Sequence, residues 1–222
     1  MAMNGIKSWS FKDKRTADGF DSHVREQLPW YDLATKAVAF VARNYLSEGG
    51  IIYDIGASTG NISLAIDGLV KERQASLFAI EESEEMAKNY RGKGSLIVGD
   101  ALLQDYWPFD VAIFFLTFMF LPIGVRADFL KRLIGKMNQG GAIIMVEKTN
   151  PPEGYAGSVI RRLTMNWKVM AGAKPDEIIQ KDLSLCGVQR PVSLGELGNA
   201  KEFFRIGEFS GWIIERTQGI NQ

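Results

Sequence analysis

The chain has 222 residues, 26 Lys+Arg balanced by 26 Asp+Glu, 46% hydrophobic residues, one Cys and one His. That length suits one domain with a proper core, and the charge balance removes any general attraction to nucleic acid. A single Cys186 rules out a disulfide framework and a thiolate-rich zinc site. A single His23 argues against a histidine metal centre and against Ser-His-Asp chemistry. The start, residues 1–13, is polar and lacks the apolar centre of a secretory signal. The most apolar run, residues 111–123, is interrupted by Thr117 and Pro122 and falls short of the ~20 residues that span a bilayer. The expectation is a cytoplasmic protein with no membrane segment and no bound metal.

In chain order, residues 11–29 are mixed and read as a short helix or lid. Residues 31–45 form an amphipathic helix pattern with Leu33, Val38, Val41 and Tyr45 as apolar members. Short apolar runs at residues 51–53, 77–80, 96–98, 111–116 and 142–146 predict strands covered on both faces. Between them, residues 61–70, 84–90 and 125–137 predict helices. Ser83 followed by Glu84 and Glu85 supplies a hydroxyl cap and two acids for the positive helix end. Gly140 and Gly141 predict a helix-to-strand turn. Residues 149–157 are a Pro/Gly-rich loop, 158–170 look helical, and 203–206 with 211–215 predict a hairpin around 207–210. Alternating strands and helices predict an α/β fold: a doubly wound, mainly parallel, Rossmann-like sheet of seven strands with a C-terminal antiparallel hairpin. One domain is expected over residues 1–222. It comprises a helical lid to residue 45, a ligand-binding core over 46–148, and acceptor-region helices with the hairpin over 149–222.

The chemistry-bearing stretch runs from Asp54 to Gly60, through Gly56, Ala57 and Ser58, after a strand and before a helix. Glycines there allow a sharp turn and a close ligand approach. About twenty residues on, at the next strand end, Glu81 is placed to accept from ribose hydroxyls. A dinucleotide site needs Gly-x-Gly-x-x-Gly so that amides can hold a pyrophosphate. Here the spacing is Asp-x-Gly-x-x-x-Gly, and Asp54 would repel phosphate while suiting an amino group and a sulfonium. Asp100 and Ala101, after the third strand, can meet an adenine amino group. Adenine, ribose and a cationic amino-acid tail together describe S-adenosylmethionine, with S-adenosylhomocysteine as the product. A plain tight turn with solvated acids is the competing structural reading.

With these residues, the chain resembles the class I S-adenosylmethionine-dependent methyltransferases, and more closely the carboxy-S-adenosylmethionine synthase branch. That branch's product feeds tRNA wobble-uridine modification. The likeness runs from Phe20 to Tyr31, through Tyr53 to Ser58 and Ile80 to Ser83, to Gly140, Gly141, Ala142, Glu147 and Lys148. The resemblance implies that Tyr31 touches the methionine end, that Gly56, Ala57 and Ser58 line the cofactor, that Glu81 takes the ribose, and that Asp100 with Ala101 takes the adenine. In that branch an arginine anchors the product's extra carboxylate. Through residues 177–181 its place falls on Asp182, with Lys181 and Arg190 as substitutes. A family asparagine falls near Phe115. Read this way, methyl transfer to an unidentified acceptor is preferred over carboxy-cofactor synthesis, and a non-catalytic cofactor-binding protein stays open.

Other features have bland readings. Asn150-Pro151-Pro152-Glu153 follows the fifth strand, so it reads as a rigid turn. Arg161, Arg162, Trp167 and Lys168 could meet RNA, but a solvated helix face is preferred. His23 could serve as a general base but reads as structural or exposed, and the aromatics of residues 114–120 read as core, with one or two of them, Phe115 among the candidates, flanking the sulfonium beside Tyr31. No catalytic base is assigned, since alignment of donor and acceptor suffices for in-line transfer. The expected partner is a small-molecule or tRNA-pathway acceptor, and a homodimer is left open.

Overall fold

Five strands run parallel in the computed structural model, which describes residues 10–216. They are β1 (Ile51–Ile55), β2 (Ser76–Glu81), β3 (Ser95–Val98), β4 (Phe109–Phe115) and β5 (Met137–Lys148). β6 (Lys201–Ile206) and β7 (Phe209–Glu215) form an antiparallel hairpin, and β7 pairs with β5. The sheet order is β3-β2-β1-β4-β5-β7-β6. The chain winds one way from β1 to β3 and the other way from β4, so a crevice opens at the carboxyl ends where the direction reverses.

The apolar strand runs have a simple physical cause. β4 is buried at every position. Its Val111, Ile113 and Phe115 enter one core with Ile52, Ala34 and Val38, while Ala112 and Phe114 enter the other with Phe129 and Leu133. A strand sandwiched this way can carry no polar face. The first core is closed by α3 (Tyr31–Arg43), α4 (Asn61–Ala65) and α5 (Asp67–Glu72). The second is closed by α7 (Ile123–Lys136).

Upstream of α3 lie α1 (Lys14–Asp18) and α2 (Phe20–Gln27); α6 (Glu84–Lys88) follows β2. Ser83 caps α6 as its sequence predicts, its hydroxyl accepting from the Met86 amide at 3.2 Å. After β5 come α8 (Gly154–Met170), α9 (Pro175–Ser184) and α10 (Leu194–Leu197). Among the described residues no helix is long and apolar enough to cross a membrane. Residues 1–9 of the polar start lie outside the described residues.

Three local expectations are corrected. The helix expected over 61–70 breaks at the buried Ile66 into α4 and α5. Met137 does not end a helix but begins β5, fully buried opposite Phe109. Gly140 and Gly141 therefore lie inside that strand, at a register shift. A side chain on Gly141 would come within 2.5 Å of the Asp110 carbonyl, so only glycine lets the strand pass. The terminal hairpin closes through Gly207 and Glu208 alone, with Gly207 at φ +57.

Arg126 ties the carboxyl-end loops together from a site that is 1% exposed. Its guanidinium donates to the carbonyls of Met119, Leu121 and Arg190 and to Glu196 at 2.8–3.0 Å. Removing it leaves buried carbonyls without a donor, which costs about 1–3 kcal/mol for each unsatisfied group. Arg126→Met is expected to destabilise the protein by about 3 kcal/mol. An unchanged urea midpoint would contradict this account.

Candidate functional site

A cavity of about 330 Å³ occupies the crevice at the carboxyl ends of the parallel strands. Its floor contains Asp54 near the end of β1 with Gly56, Ala57 and Ser58 just beyond it, Glu81 at the end of β2, and Asp100 with Ala101 after β3; Phe115 and Tyr31 complete that end. Of the residues singled out from sequence, Gly60 does not line it. Gly60 sits at φ +90 as the cap of α4, and a Cβ there would press to 2.6 Å from the Gly92 amide. Its task is the turn.

The β1 loop follows the sheet edge closely. The Gly56 and Ala57 amides both donate to the Ile80 carbonyl, at 2.8 and 2.9 Å. Gly56 has φ +77, and a Cβ would fall 2.3 Å from the Thr117 side chain. Ser58, also at positive φ, donates its amide to Glu81 Oε2 at 2.8 Å, while Glu81 Oε1 accepts from the Ser83 amide at 2.8 Å. Asp54 Oδ2 accepts from both the amide and the hydroxyl of Ser63, at 3.0 and 2.7 Å. Asp100 Oδ1 accepts from the Leu102 amide at 2.8 Å. Burial pushes Asp54 up to about 6 despite the Ser63 bonds. It also raises Glu81, against the pull of the Ser83 and Ser58 amides.

The N-terminal segment crosses over this floor. Phe11, Phe20, His23, Val24 and Tyr31 line the cavity. The segment is fastened by Thr59 Oγ1 donating to Asp21 at 2.6 Å, by the Arg91–Asp21 ion pair at 2.6 Å, and by the Ser83 hydroxyl donating to the Phe11 carbonyl at 2.7 Å. The Arg25 guanidinium lies 5.2 Å from the Tyr31 ring centroid, and Tyr31 meets Phe115 edge-on at 5.1 Å.

The opposite end of the cavity is built from α8 and α9 and is cationic. Lys148, Arg161, Lys168 and Lys181 line it, with Asp182 and Glu208. Arg161 holds Asp182 at 2.8 Å. Burial lowers Lys168, and burial with the neighbouring Lys168 charge lowers Lys181 to about 6. His23 is lowered too, first by burial and then by Lys181. Arg190 is exposed and outside the cavity, its backbone engaged by Met119 and Arg126. Lys168, expected on a solvated face, faces the cavity instead.

Sequence reasoning gave Glu147 no role of its own. It is fully buried, and its carboxylate accepts from the amides of Thr117, Phe118 and Met119 at 3.0, 2.7 and 3.1 Å. An acid inside the apolar run that ends β5 was the available signal. Through this clamp Glu147 sets the loop whose Thr117 packs on Gly56 and whose Leu116 sits at φ +59.

No protein-family model matches the chain. A carboxy-S-adenosyl-L-methionine synthase of Staphylococcus epidermidis is 30% identical over 192 residues, covering 84% of this chain and 83% of that protein. The chain belongs to the carboxy-S-adenosyl-L-methionine synthase family. A family member of Shewanella halifaxensis is 27% identical, covering 94% and 89% of the two chains. Among solved structures, a plantazolicin methyltransferase bound to S-adenosylhomocysteine and a substrate analogue superposes with a TM-score of 0.64 at 14% identity, over 92% of this chain and 90% of that one. The human N-acetylserotonin methyltransferase bound to S-adenosylmethionine gives 0.58 at 10% identity, over 94% and 58%. The fold of this family member is therefore the S-adenosylmethionine-dependent methyltransferase fold, and membership of the synthase family makes the protein an enzyme. Asp182, the place to which the resemblance assigns that branch's arginine, is paired with Arg161 at 2.8 Å.

Burial raises Glu147 from its ordinary 4.5 to about 7, with the three amides and Arg126 opposing. The folded protein then holds a proton that the unfolded chain releases between these values. Stability from this group is present below pH 4.5 and lost as the pH rises towards 7. Glu147→Gln is expected to flatten this slope and to cost about 1–3 kcal/mol above pH 7, because an amide nitrogen replaces one acceptor oxygen. Urea denaturation at several pH values reads both effects; parallel pH profiles for the two proteins would contradict the assignment.

Proposed function

We propose that this chain binds S-adenosylmethionine along the floor of the cavity and transfers its methyl group to an acceptor held between α8 and α9. The observation that carries the reading is a set of acceptors: Asp54, Glu81 and Asp100 stand at three successive strand ends around Gly56. Three carboxylates repel a pyrophosphate and fit a ligand made of adenosine and a cationic amino-acid tail. Gly56 leaves the floor without a side chain, and any Cβ there would collide with Thr117.

Each residue has a task that its chemistry allows. Glu81 accepts the ribose hydroxyls with the lone pairs its amide partners leave free. Asp100 accepts from an adenine amino group, and Asp54 meets the amino-acid tail. Tyr31 and Phe115 offer ring faces and edges to a sulfonium, an arrangement that favours cations. The sulfonium supplies an electrophilic methyl group; the protein's share is to align the acceptor with it and to exclude water beneath the N-terminal segment. No step in this scheme needs a metal.

Carboxy-cofactor synthesis is the second reading. Family membership favours it, as do the lysines at the α8–α9 end of the cavity. Methyl transfer is preferred because the family's arginine position carries Asp182, and the guanidinium nearest to it, Arg161, is spent on that acid. The proposal includes S-adenosylhomocysteine as the product, a cytoplasmic location, and a small-molecule or tRNA-pathway acceptor.

Two measurements test it. Glu81→Ala is expected to weaken S-adenosylhomocysteine binding at least tenfold, or about 1.4 kcal/mol, by calorimetry; unchanged affinity in both Glu81→Ala and Asp54→Ala would end the cofactor reading. Mass spectrometry of small molecules released from the denatured protein separates the two products. S-adenosylmethionine or S-adenosylhomocysteine alone supports methyl transfer, and a carboxylated cofactor overturns it in favour of synthesis.

A further inference from the structure

Two hydrogen-bond acceptors in the wall of the cavity have no donor from the protein. Gln27 is 8% exposed and belongs to the stripe of α2, with Phe20, His23 and Val24, that lines the cavity. Its Oε1 is buried and accepts no hydrogen bond among the described residues. Glu208 is 7% exposed and lines the same cavity. Its carboxylate makes no hydrogen bond or ion pair among the described residues, and acts on Lys168 only at longer range.

Both positions are held firmly. The Glu208 carbonyl accepts from the amide and the hydroxyl of Thr149, at 2.6 and 3.1 Å. A Cβ on Gly207 would fall 2.7 Å from Thr164 Oγ1, so the hairpin turn is wedged against α8. Trp30 meets Phe209, the residue after Glu208, with ring centroids 4.7 Å apart. Leu28, Tyr31, Phe115 and Phe209 pack in one apolar cluster. The two acceptors therefore adjoin the wall that carries the rings assigned to the sulfonium. Buried acceptors are ordinarily paired, and a buried carboxylate without a partner is costly, so this wall calls for a ligand that donates.

We propose that Gln27 and Glu208 receive the acceptor as a primary amine carried on an apolar body, Gln27 orienting the nitrogen and Glu208 taking its proton. The amine site rests on the methyl-transfer reading only for what the nitrogen reacts with. A neutral primary amine has two N–H donors and one lone pair. One donor to each acceptor fixes both hydrogens and leaves the lone pair for the methyl carbon. A hydroxyl has a single hydrogen and would leave one of the two acceptors empty. Lys148, Lys168 and Lys181, which line this end, favour the neutral amine over an ammonium. Phe20, Val24 and Phe209 offer apolar contact to the rest of the molecule.

In the transfer the N–C bond forms as the S–C bond breaks, and the electron pair of the broken bond returns to sulfur, leaving a neutral thioether. Positive charge thus moves from sulfur to the nitrogen beside Glu208. The carboxylate stabilises that transition state more than the separate reactants. The nitrogen then passes its proton to Glu208, which returns it to solvent.

The test uses phenethylamine, a primary amine on an apolar body, with the full chain. Calorimetry is expected to show saturable binding of phenethylamine to wild type loaded with S-adenosylhomocysteine. Gln27→Met should weaken it about tenfold, and Glu208→Gln, which keeps an acceptor oxygen, should stay within about threefold. Both variants should hold S-adenosylhomocysteine within about twofold of wild type. Transfer of a labelled methyl group from S-adenosylmethionine to phenethylamine gives the second readout. Glu208→Gln is expected to lower kcat about a hundredfold or more with little change in KM, while Gln27→Met raises KM. Absence of saturable phenethylamine binding to wild type overturns the proposal, as does equal affinity in wild type and Gln27→Met. An unchanged kcat in Glu208→Gln removes Glu208 as the proton acceptor, and a lowered urea midpoint in that variant makes its carboxylate a structural partner instead. If S-adenosylhomocysteine does not bind while phenethylamine binding still depends on Gln27, the cofactor reading falls and the amine site stands. If phenethylamine binds as described but is never methylated, the methyl-transfer reading falls and the amine site again stands.

Discussion

Backbone amides just beyond the carboxyl edge of a parallel sheet have no strand to bond to, and burying them unpaired is costly. In this chain a carboxylate answers at each loop. Asp54 takes the Ser63 amide, Glu81 takes those of Ser58 and Ser83, Asp100 takes that of Leu102, and Glu147 takes those of Thr117, Phe118 and Met119. These acids shape the loops before any ligand arrives. Asp54 and Glu81 are themselves buried, and burial raises both; the amide and hydroxyl bonds offset that cost only in part. Cradle and bracing are thus the same set of atoms, so substitutions at Asp54 or Glu81 act on loop geometry as well as on ligand affinity.

Glu147 is the clearest case of bracing without lining. It does not face the cavity, yet it holds the loop that places Thr117 over Gly56. From the far side, Arg126 grips the carbonyls of the same loop at Met119 and Leu121. Amides are held by an acid and carbonyls by a guanidinium, so both polarities of one short segment are satisfied by buried charges. Such a segment has one low-energy arrangement, as a site that must align two reactants requires.

The strands were legible in the sequence because β1, β2 and β4 are covered on both faces and read as unbroken apolar runs. The start of β5 was not, since Asn138, Gln139, Gly140 and Gly141 look like a turn while the backbone pairs through them. The cradle was legible because its acids fall at strand ends, a place fixed once the strands are known. Gly60 was legible as a glycine but not as one facing away, because spacing does not distinguish ligand approach from a helix cap. Lys181 was named from the sequence, but Lys168 was placed on a solvated face for a reason of packing. α8 exposes Tyr155, Val159 and Leu163 and turns Lys168 inward, so a reader of amphipathicity assigns its faces the wrong way round.

That inversion bears on the choice between the two transfer reactions. A helix that buries lysine beside a second lysine gains nothing in stability from doing so, because desolvation opposes both charges. The family arginine that the resemblance places at Asp182 would have carried a permanent charge with a fixed fork. Here that place holds Asp182, paired with Arg161 at 2.8 Å, and the other cations lining this end of the cavity are Lys148, Lys168 and Lys181. With Asp182 already paired to Arg161, that place offers no guanidinium fork to a carboxyl group carried on the cofactor, which is the reason methyl transfer is preferred over synthesis.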